Sequence, residues 1–402
     1  MTVAGRLDPS GSATLPPLLF YFHCRMNTGY AIESLERVFL DVGRELTGSD
    51  EALHFAYPDG GEAPPPAFLP PALHSNVVRF DPAAASPDAG GALAKHLSRH
   101  GVRIAVGFDQ PVRQPGNTVL RNNGVELLIS YWGAPMSDLN RGLRLALKRL
   151  DVRLARHRPD HFVFESLAMQ ESGVLGRGLP RQDTSVCHLG VDPERYRPNP
   201  VDPEYAHAAF GIPRDRRIVY FSGHMEERKG IRVILHAARR LVGEQGRRDV
   251  HFLLLGNRNR EEDPYRALLD PTTSAHVTFG GYRTDIDRIV PCAYAGVIAS
   301  TGWDSFTMSS LEISASGVPL LASRLQGLAE AVSHGETGFL FAPGNDGELA
   351  DGIARLLDSP GLQQRMAVAS RTRILQGFTR SQQVSRLAGI VRSAWSSRER
   401  RA

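Results

Sequence analysis

The sequence predicts an α/β protein with parallel sheets in two domains. Three observations carry this: apolar strand-like runs alternate with amphipathic helical stretches, the chain has 402 residues, and 42% of them are hydrophobic. That length is ordinary for two domains, and that apolar share can fill two cores. No repeat of solenoid length interrupts the pattern. The net charge of +4 is modest, and the basic residues are spread rather than gathered with aromatics, which argues against a nucleic-acid partner. Cys24, Cys187 and Cys292 show no C-x-x-C spacing, so neither a disulfide framework nor a zinc site is expected, and a reducing compartment fits. The start, MTVAGRLDPSGSATLPP, has no hydrophobic signal core, and no window holds about eighteen uninterrupted apolar residues. A soluble, cytoplasmic protein with a flexible segment over 1–15 is the expectation.

The first elements follow in order. Leu18 to Phe22 is an apolar strand candidate, Arg25 to Tyr30 is a loop, and AIESLERVFLDVGREL (31–46) is an amphipathic helix. Gly29 lets backbone approach a ligand closely or simply turns the chain into the helix. The stretch EAPPPAFLPPAL (62–73) is too rich in proline for regular structure. VRIAVGFD (102–109), VELLISYWG (125–133), HFVFES (161–166) and TSVCHLG (184–190) read as further strands. Between them RGLRLALKRLDVRLARHRP (141–159) places Leu143, Ala146, Leu147, Leu150 and Leu154 on one side of a helix and Arg144, Lys148 and Arg149 elsewhere. An ordinary packed helix with a solvated basic face is expected, and contact with anionic lipid is the lesser alternative.

The second half carries the chemistry. RIVYFSGHMEERKGIRVILHAARRL (217–241) reads as strand, loop and amphipathic helix, with Lys229 just before the helix begins. VIAS (297–300) reads as a buried parallel strand, and MSSLEISASG after it as a short helix closed by Gly317 and Pro319. Between them GWDSFTMSSLEISASGVP places Asp304 in the loop and Glu312 in the helix, eight residues apart. Two carboxylates so placed can grip two hydroxylated groups of one ligand, and the helix start offers unpaired N–H groups to a phosphate. A plain Ser309-x-x-Glu312 capping box is the alternative without a ligand.

These segments resemble retaining glycosyltransferases of family 4, whose signature is a carboxylate-x7-carboxylate motif preceded by a G-R-L-x-x-x-K-G loop. Gly223, Lys229, Gly230, Asp304, Phe306, Glu312, Gly317 and Pro319 stand in register with it. HLGVDPERYRP (188–198) resembles the family's hinge, where a strand enters the second domain, HVTFGGYRTDIDRIVPCAYAGVIAS (276–300) its base-binding strand and turn, and HGETGFLFAPGN (334–345) a later turn. The resemblance spans roughly the last two hundred residues. It implies a GT-B fold, two Rossmann-like domains facing each other across a cleft. The expected division is an acceptor-side domain over 16–192, a nucleotide-sugar domain over 193–375, and a helix or tail over 376–402 that returns to the first domain.

The resemblance also implies roles. Lys229, His224 and Asp304 serve catalysis, and Glu312, Gly223, Tyr282 and Arg283 hold the ribose and nucleotide. Asp304, Ser305, Phe306, Thr307 and Met308 meet the donor sugar and phosphate, and Asn27, Gly29, Tyr30 and Trp132 lie on the acceptor side. The chain departs from the pattern in four places. Asp304 replaces a Glu, Thr307 replaces a Gly, and His224 stands where the family has an Arg, so that either a protonated His224 or the neighbouring Arg228 takes over the diphosphate. Trp132 stands where relatives have a sugar-contacting His; it either stacks on a sugar or fills core beside Pro135.

The implied activity is transfer of a sugar, with retention, from a nucleoside-diphosphate donor to a hydroxyl acceptor, which can be a small molecule, a natural product or a cell-envelope glycan. No metal and no cofactor are expected: Asp285-Ile-Asp287 spells D-x-D but lies in a turn away from the proposed site, and Gly280-Gly281-Tyr282 is not a dinucleotide-binding loop. A degenerate relative that binds nucleotide without transfer and a lipid-surface binding protein are the alternatives. Oligomeric state is open.

Overall fold

The computed structural model describes residues 14–84, 89–198 and 201–400. The contacts divide the chain into two compact units, one running up to His188 and resuming at Ser381, the other comprising Leu189–Arg380. The sequence placed these divisions at 192/193 and 375/376. Of the segment 1–15 only Thr14 and Leu15 fall among the described residues, and the Leu15 N–H donates to Leu46 O at 3.0 Å.

In the first unit the described strands are β1 (Leu18–Tyr21), β2 (Leu53–Tyr57), β3 (Val77–Arg79), β4 (Ile104–Phe108), β5 (Leu127–Trp132), β6 (His161–Phe164) and β7 (Thr184–Val186). They form one sheet in the order β3-β2-β1-β4-β5-β6-β7, and every pairing is parallel. Helices cover both faces of such a sheet, so its strands are apolar throughout rather than alternating. Leu18, Leu19, Phe20 and Tyr21 of β1 are all fully buried. On one face the helix Tyr30–Thr47 packs Phe39 against Phe20, with ring centroids 5.0 Å apart. The helix Arg380–Glu399 adds Val384, Leu387, Val391 and Trp395 to the same core. The proline-rich stretch is less irregular than its composition suggests: Pro71–Asn76 is a 3-10 helix whose first turn has no use for the N–H that proline lacks.

The first unit also buries a histidine cluster. His54 of β2 is fully buried, and its Nδ1 lies 2.9 Å from Nε2 of His96, while His100, one turn further along the helix Ala89–His100, completes a set of rings with centroids 4.5–4.8 Å apart. Burial first, then the neighbouring imidazoles, push His54 down to about 3 and His96 down to about 4. Both must therefore be neutral in the folded unit at pH values where an unfolded chain already binds the protons. The unfolded state binds more protons below the ordinary imidazole value of 6.5, so stability is lost as pH falls from there toward 4. For His54 alone the loss over that window is on the order of 2–3 kcal/mol. The expected result is a urea midpoint that drops across this interval; a flat profile would contradict it.

In the second unit the described strands are β8 (Arg217–Ser222), β9 (Val250–Leu255), β10 (Val277–Phe279), β11 (Ala295–Ile298), β12 (Leu320–Ser323) and β13 (Gly338–Phe341). Their order is β10-β9-β8-β11-β12-β13, again all parallel. The helix Ile231–Arg239 buries Ile231, Val233, Ile234, Leu235, Ala237 and Ala238 against this sheet. Over 188–198 the expected strand reduces to one isolated bridge, Val191 to Thr379. In each sheet the strand order reverses once, at β1/β4 and at β8/β11, and loops leaving the carboxyl ends of strands at such a reversal diverge and leave a crevice.

Candidate functional site

The loops after β8 and β11 meet at the reversal in the second unit. The β8 loop runs from Gly223 through a 3-10 turn, Glu227–Lys229, to Gly230, which adopts φ +72°. A Cβ at Gly230 would overlap the Ala299 carbonyl oxygen at the end of β11, so only glycine lets the two loops come this close. The Thr301 N–H donates to Arg228 O at 2.8 Å and fastens them together.

That proximity brings the two principal residues into contact. Lys229 Nζ lies 2.9 Å from Asp304 Oδ2, with side-chain exposures of 16% and 4%. Ser300 Oγ donates to the same oxygen at 2.5 Å, and the Ser305 N–H donates to Oδ1 at 3.1 Å. The Asp304 N–H in turn donates to Gln326 Oε1 at 3.2 Å. Both carboxylate oxygens of Asp304 are therefore engaged. A carboxylate this buried is tolerable because it is paired and hydrogen-bonded.

The helix Met308–Ala315 follows, capped by Thr307, whose side chain accepts from the Ser310 N–H. Thr307 thus earns its place where the family has glycine, as a helix cap. The Ser309/Glu312 capping box does not form, because Ser309 lies inside the helix and donates to Ser222 O at 3.2 Å. Glu312, in the second turn, is buried, as are Ser305 and Phe306, the last stacked on Phe378 at 5.2 Å. Met308 is partly buried against the core.

Of the two candidates for the missing arginine, His224 is exposed at the loop. Arg228 is committed elsewhere. Its Nε lies 2.7 Å from Glu226, Nη1 donates to Trp303 O, and the guanidinium sits 4.3 Å from the centre of the Trp303 ring. Trp303 is 41% exposed beside Asp304, a position that no motif had singled out.

Arg283, expected at the nucleobase, is held in an ion pair. Its guanidinium binds both oxygens of Asp285 and lies over Phe210, and Asp285, which also accepts from the Tyr205 hydroxyl, is held down at about 2 chiefly by Arg283. Tyr282 instead is half exposed, with Arg258 stacked 3.6 Å from its ring centre. Asp287 pairs with Arg195 at 3.3 Å, so the two D-x-D carboxylates serve different arginines. Gly223 meets Gly256, whose own Cβ would strike the Gly223 backbone.

In the first unit, Asn27 and Gly29 lie on the loop after β1, beside the β1/β4 reversal, and Tyr30 opens the helix Tyr30–Thr47 that follows. Asn27 adopts φ +57° and Gly29 φ +151° at the start of the helix, and all three are exposed. Asp109, at the end of β4, escaped the sequence analysis. It adopts φ +51°, accepts from the Gly133 N–H at 2.8 Å, and is pushed up to about 6 by burial. Trp132 is half buried among Val152, Phe162, Phe164 and Met136, and its Nε1 is buried with no partner among the described residues. Its surroundings are those of core, not of an open sugar platform.

Sequence comparison matches residues 216–359 to the family described as "Glycosyl transferases group 1". The D-inositol 3-phosphate glycosyltransferase of Corynebacterium glutamicum (strain R) is 30% identical over 188 residues, 45% of this chain and 45% of that protein. The enzyme of that name from Mycobacterium tuberculosis (strain F11) is 33% identical over 178 residues, 43% of this chain and 35% of that one. The chain thus matches less than half the length of these relatives. Among solved structures, Anabaena Alr3699/HepE in complex with UDP superposes with a TM-score of 0.75 at 19% identity, covering 94% of this chain and 100% of that one. A glycosyltransferase from Rickettsia africae ESF-5 gives 0.78 at 16% identity, covering 94% and 99%. The chain therefore has the GT-B fold of two Rossmann-like units, and residues 216–359 of the second unit carry the glycosyl transferases group 1 sequence pattern.

Proposed function

We propose that the chain is a retaining glycosyltransferase that moves a sugar from a nucleoside-diphosphate donor to an acceptor hydroxyl without a metal ion or other cofactor. The observation that carries this reading is the Lys229–Asp304 pair at the β8/β11 reversal, with Glu312 in the helix that follows. In this reading the incoming diphosphate takes Lys229 from Asp304. The freed carboxylate accepts from donor-sugar hydroxyls while Glu312 accepts from the ribose. Tyr282, stacked with Arg258, faces the base.

The chemistry then needs little from side-chain acids or bases. The acceptor oxygen bonds to the anomeric carbon as the bond from that carbon to the phosphate oxygen breaks, and the acceptor proton passes to the departing diphosphate. Negative charge grows on that group. Lys229, His224 and the N–H groups at Thr307 and Met308 stabilise it more as it leaves than before, which is the condition for acceleration. Like-folded Alr3699/HepE is described in complex with UDP and UDP-glucose, which makes uridine donors the first to try. The acceptor is a small molecule, a natural product or a cell-envelope glycan.

The test is release of nucleoside diphosphate from UDP-, GDP-, ADP- and dTDP-linked hexoses in the presence of mixed polyol acceptors, with and without a chelator. Release from one donor class, unchanged by the chelator and giving a product of retained anomeric configuration, is expected. Binding of a diphosphate with no release from any donor would replace the proposal with a nucleotide-binding relative that has lost transfer.

A further inference from the structure

The second unit holds a surface cavity of about 570 Å³ away from the β8/β11 site. Glu336 and Thr337, in the loop that leads into β13, form one wall, and the helix Pro360–Gly377 forms the other. On that helix Arg365, Val368 and Thr372 follow at steps of three and four residues, which sets them along one face, with Arg373 beside them. Thr337 directly precedes β13, so the cavity lies at the amino end of a parallel strand, whereas the β8/β11 crevice lies at the carboxyl ends. Its size suits a small organic molecule rather than a single ion. Arg373 is held in place there with a donor to spare. Its Nη2 donates to Glu330 O at 2.8 Å and its guanidinium lies 5.0 Å from the centre of the Phe378 ring, yet Nε is buried with no hydrogen-bond partner among the described residues. Burial lowers its pKa, and Glu336 offsets this only in part. Arg365 is exposed, and among the described residues neither arginine forms an ion pair.

A guanidinium presents its N–H groups as a planar fork that matches a carboxylate or a phosphate. Two such forks face one acid, Glu336, across the cavity, so the lining is net positive. Thr372 adds a hydroxyl, and Val368, 64% exposed, adds an apolar surface. We propose that this cavity binds a small organic oxyanion, a phosphate ester or a carboxylate. Arg373 is the fixed half of the grip, its unused Nε–H waiting for an acceptor, and Arg365 turns onto the anion from the rim. The hydrocarbon part of the ligand then covers Val368, which removes apolar surface from water. The inference does not depend on the sugar-transfer reading, since none of these residues belongs to the β8/β11 site.

Calorimetric titration of the full chain with phenyl phosphate, benzoate and benzyl alcohol tests it, three probes that share a ring and differ in the polar group. Binding of phenyl phosphate, of benzoate or of both is expected, the tighter of the two naming the class of anion, with benzyl alcohol at least about tenfold weaker. Arg365→Ala and Arg373→Ala are each expected to weaken the anion by about tenfold or more, the size of one lost charge-assisted hydrogen bond. Arg373 also braces Glu330 and Phe378, so the exposed Arg365 carries the test if the Arg373 variant does not fold. Lys229→Ala is expected to leave the affinity within about twofold, because the two sites share no partner. The proposal is overturned if neither anion binds, if benzyl alcohol binds as tightly as the anions, or if Arg365→Ala binds like the native chain. Loss of binding in Lys229→Ala overturns it too, since the anion would then sit in the β8/β11 crevice.

Discussion

Lys229→Ala is expected to lower kcat/KM for the nucleotide sugar by about 10²–10³-fold, the loss typical of deleting one group that stabilises a developing oxyanion. Two effects combine in this variant. The leaving diphosphate loses its principal cation, and Asp304, only 4% exposed at its side chain, is left with Ser300 and the Ser305 N–H as its partners. A buried carboxylate stripped of its counter-charge is costly, so the unfolding free energy, read from a lower urea midpoint, should fall by on the order of 1–3 kcal/mol without loss of the folded state. Asp304→Asn separates the two contributions. It removes the charge that Lys229 was neutralising but keeps an acceptor for Ser300, so stability should change little while turnover falls through the sugar contact. Turnover of Lys229→Ala within about threefold of native would remove Lys229 from the mechanism.

Gly230→Ala is expected to be the most destabilising single substitution in the second unit. The residue sits at φ +72°, and its Cβ would occupy the space of the Ala299 carbonyl oxygen, a backbone atom that cannot swing aside. The left-handed conformation costs about 1–2 kcal/mol for a residue with a side chain, and the overlap adds about 1–3 kcal/mol of overpacking. A total of about 2–5 kcal/mol is the expectation, visible as a large drop in the denaturant midpoint of the second unit. The effect also reaches the site. Relieving the clash moves the β8 loop from the β11 loop, and the Lys229–Asp304 contact at 2.9 Å is the first to stretch. A variant as stable and active as the native chain would show that the two loops need not approach so closely.

These two residues show why the second unit was legible in the sequence and much of the first was not. Lys229, Gly230, Asp304 and Glu312 sit at fixed offsets from strand ends because a parallel sheet delivers its loops to one edge, so spacing along the chain becomes proximity in space. Ser300 and Gln326 join Asp304 through side-chain hydrogen bonds alone, and such partners leave no periodic trace. Arg283 is a nucleobase candidate because 276–300 resembles the family's base-binding strand and turn. Its capture by Asp285, two residues on, was equally available from the sequence as a short-range ion pair. Trp132 and the helix Gly142–Leu154 go in opposite directions: core filling is one of the two readings open for Trp132, whereas the leucine face expected to pack is exposed. A tryptophan at a strand end and a leucine stripe on a helix are both apolar patterns, and pattern alone does not say which side meets the sheet. For Trp132 the core closes around it; for the helix, Val152 rather than the leucines makes the contact. Asp109 is marked by its left-handed backbone, which depends on the turn it makes after β4 and not on any motif.

The most direct test is calorimetric titration of the native chain and of Glu312→Ala with UDP, GDP, ADP and dTDP. The account predicts that one diphosphate binds selectively and that Glu312→Ala weakens it by about tenfold or more, the size of one lost charge-assisted hydrogen bond. If none of the four binds, or if the bound one is indifferent to Glu312, the β8/β11 crevice is not a nucleotide-sugar site and the transferase reading fails with it.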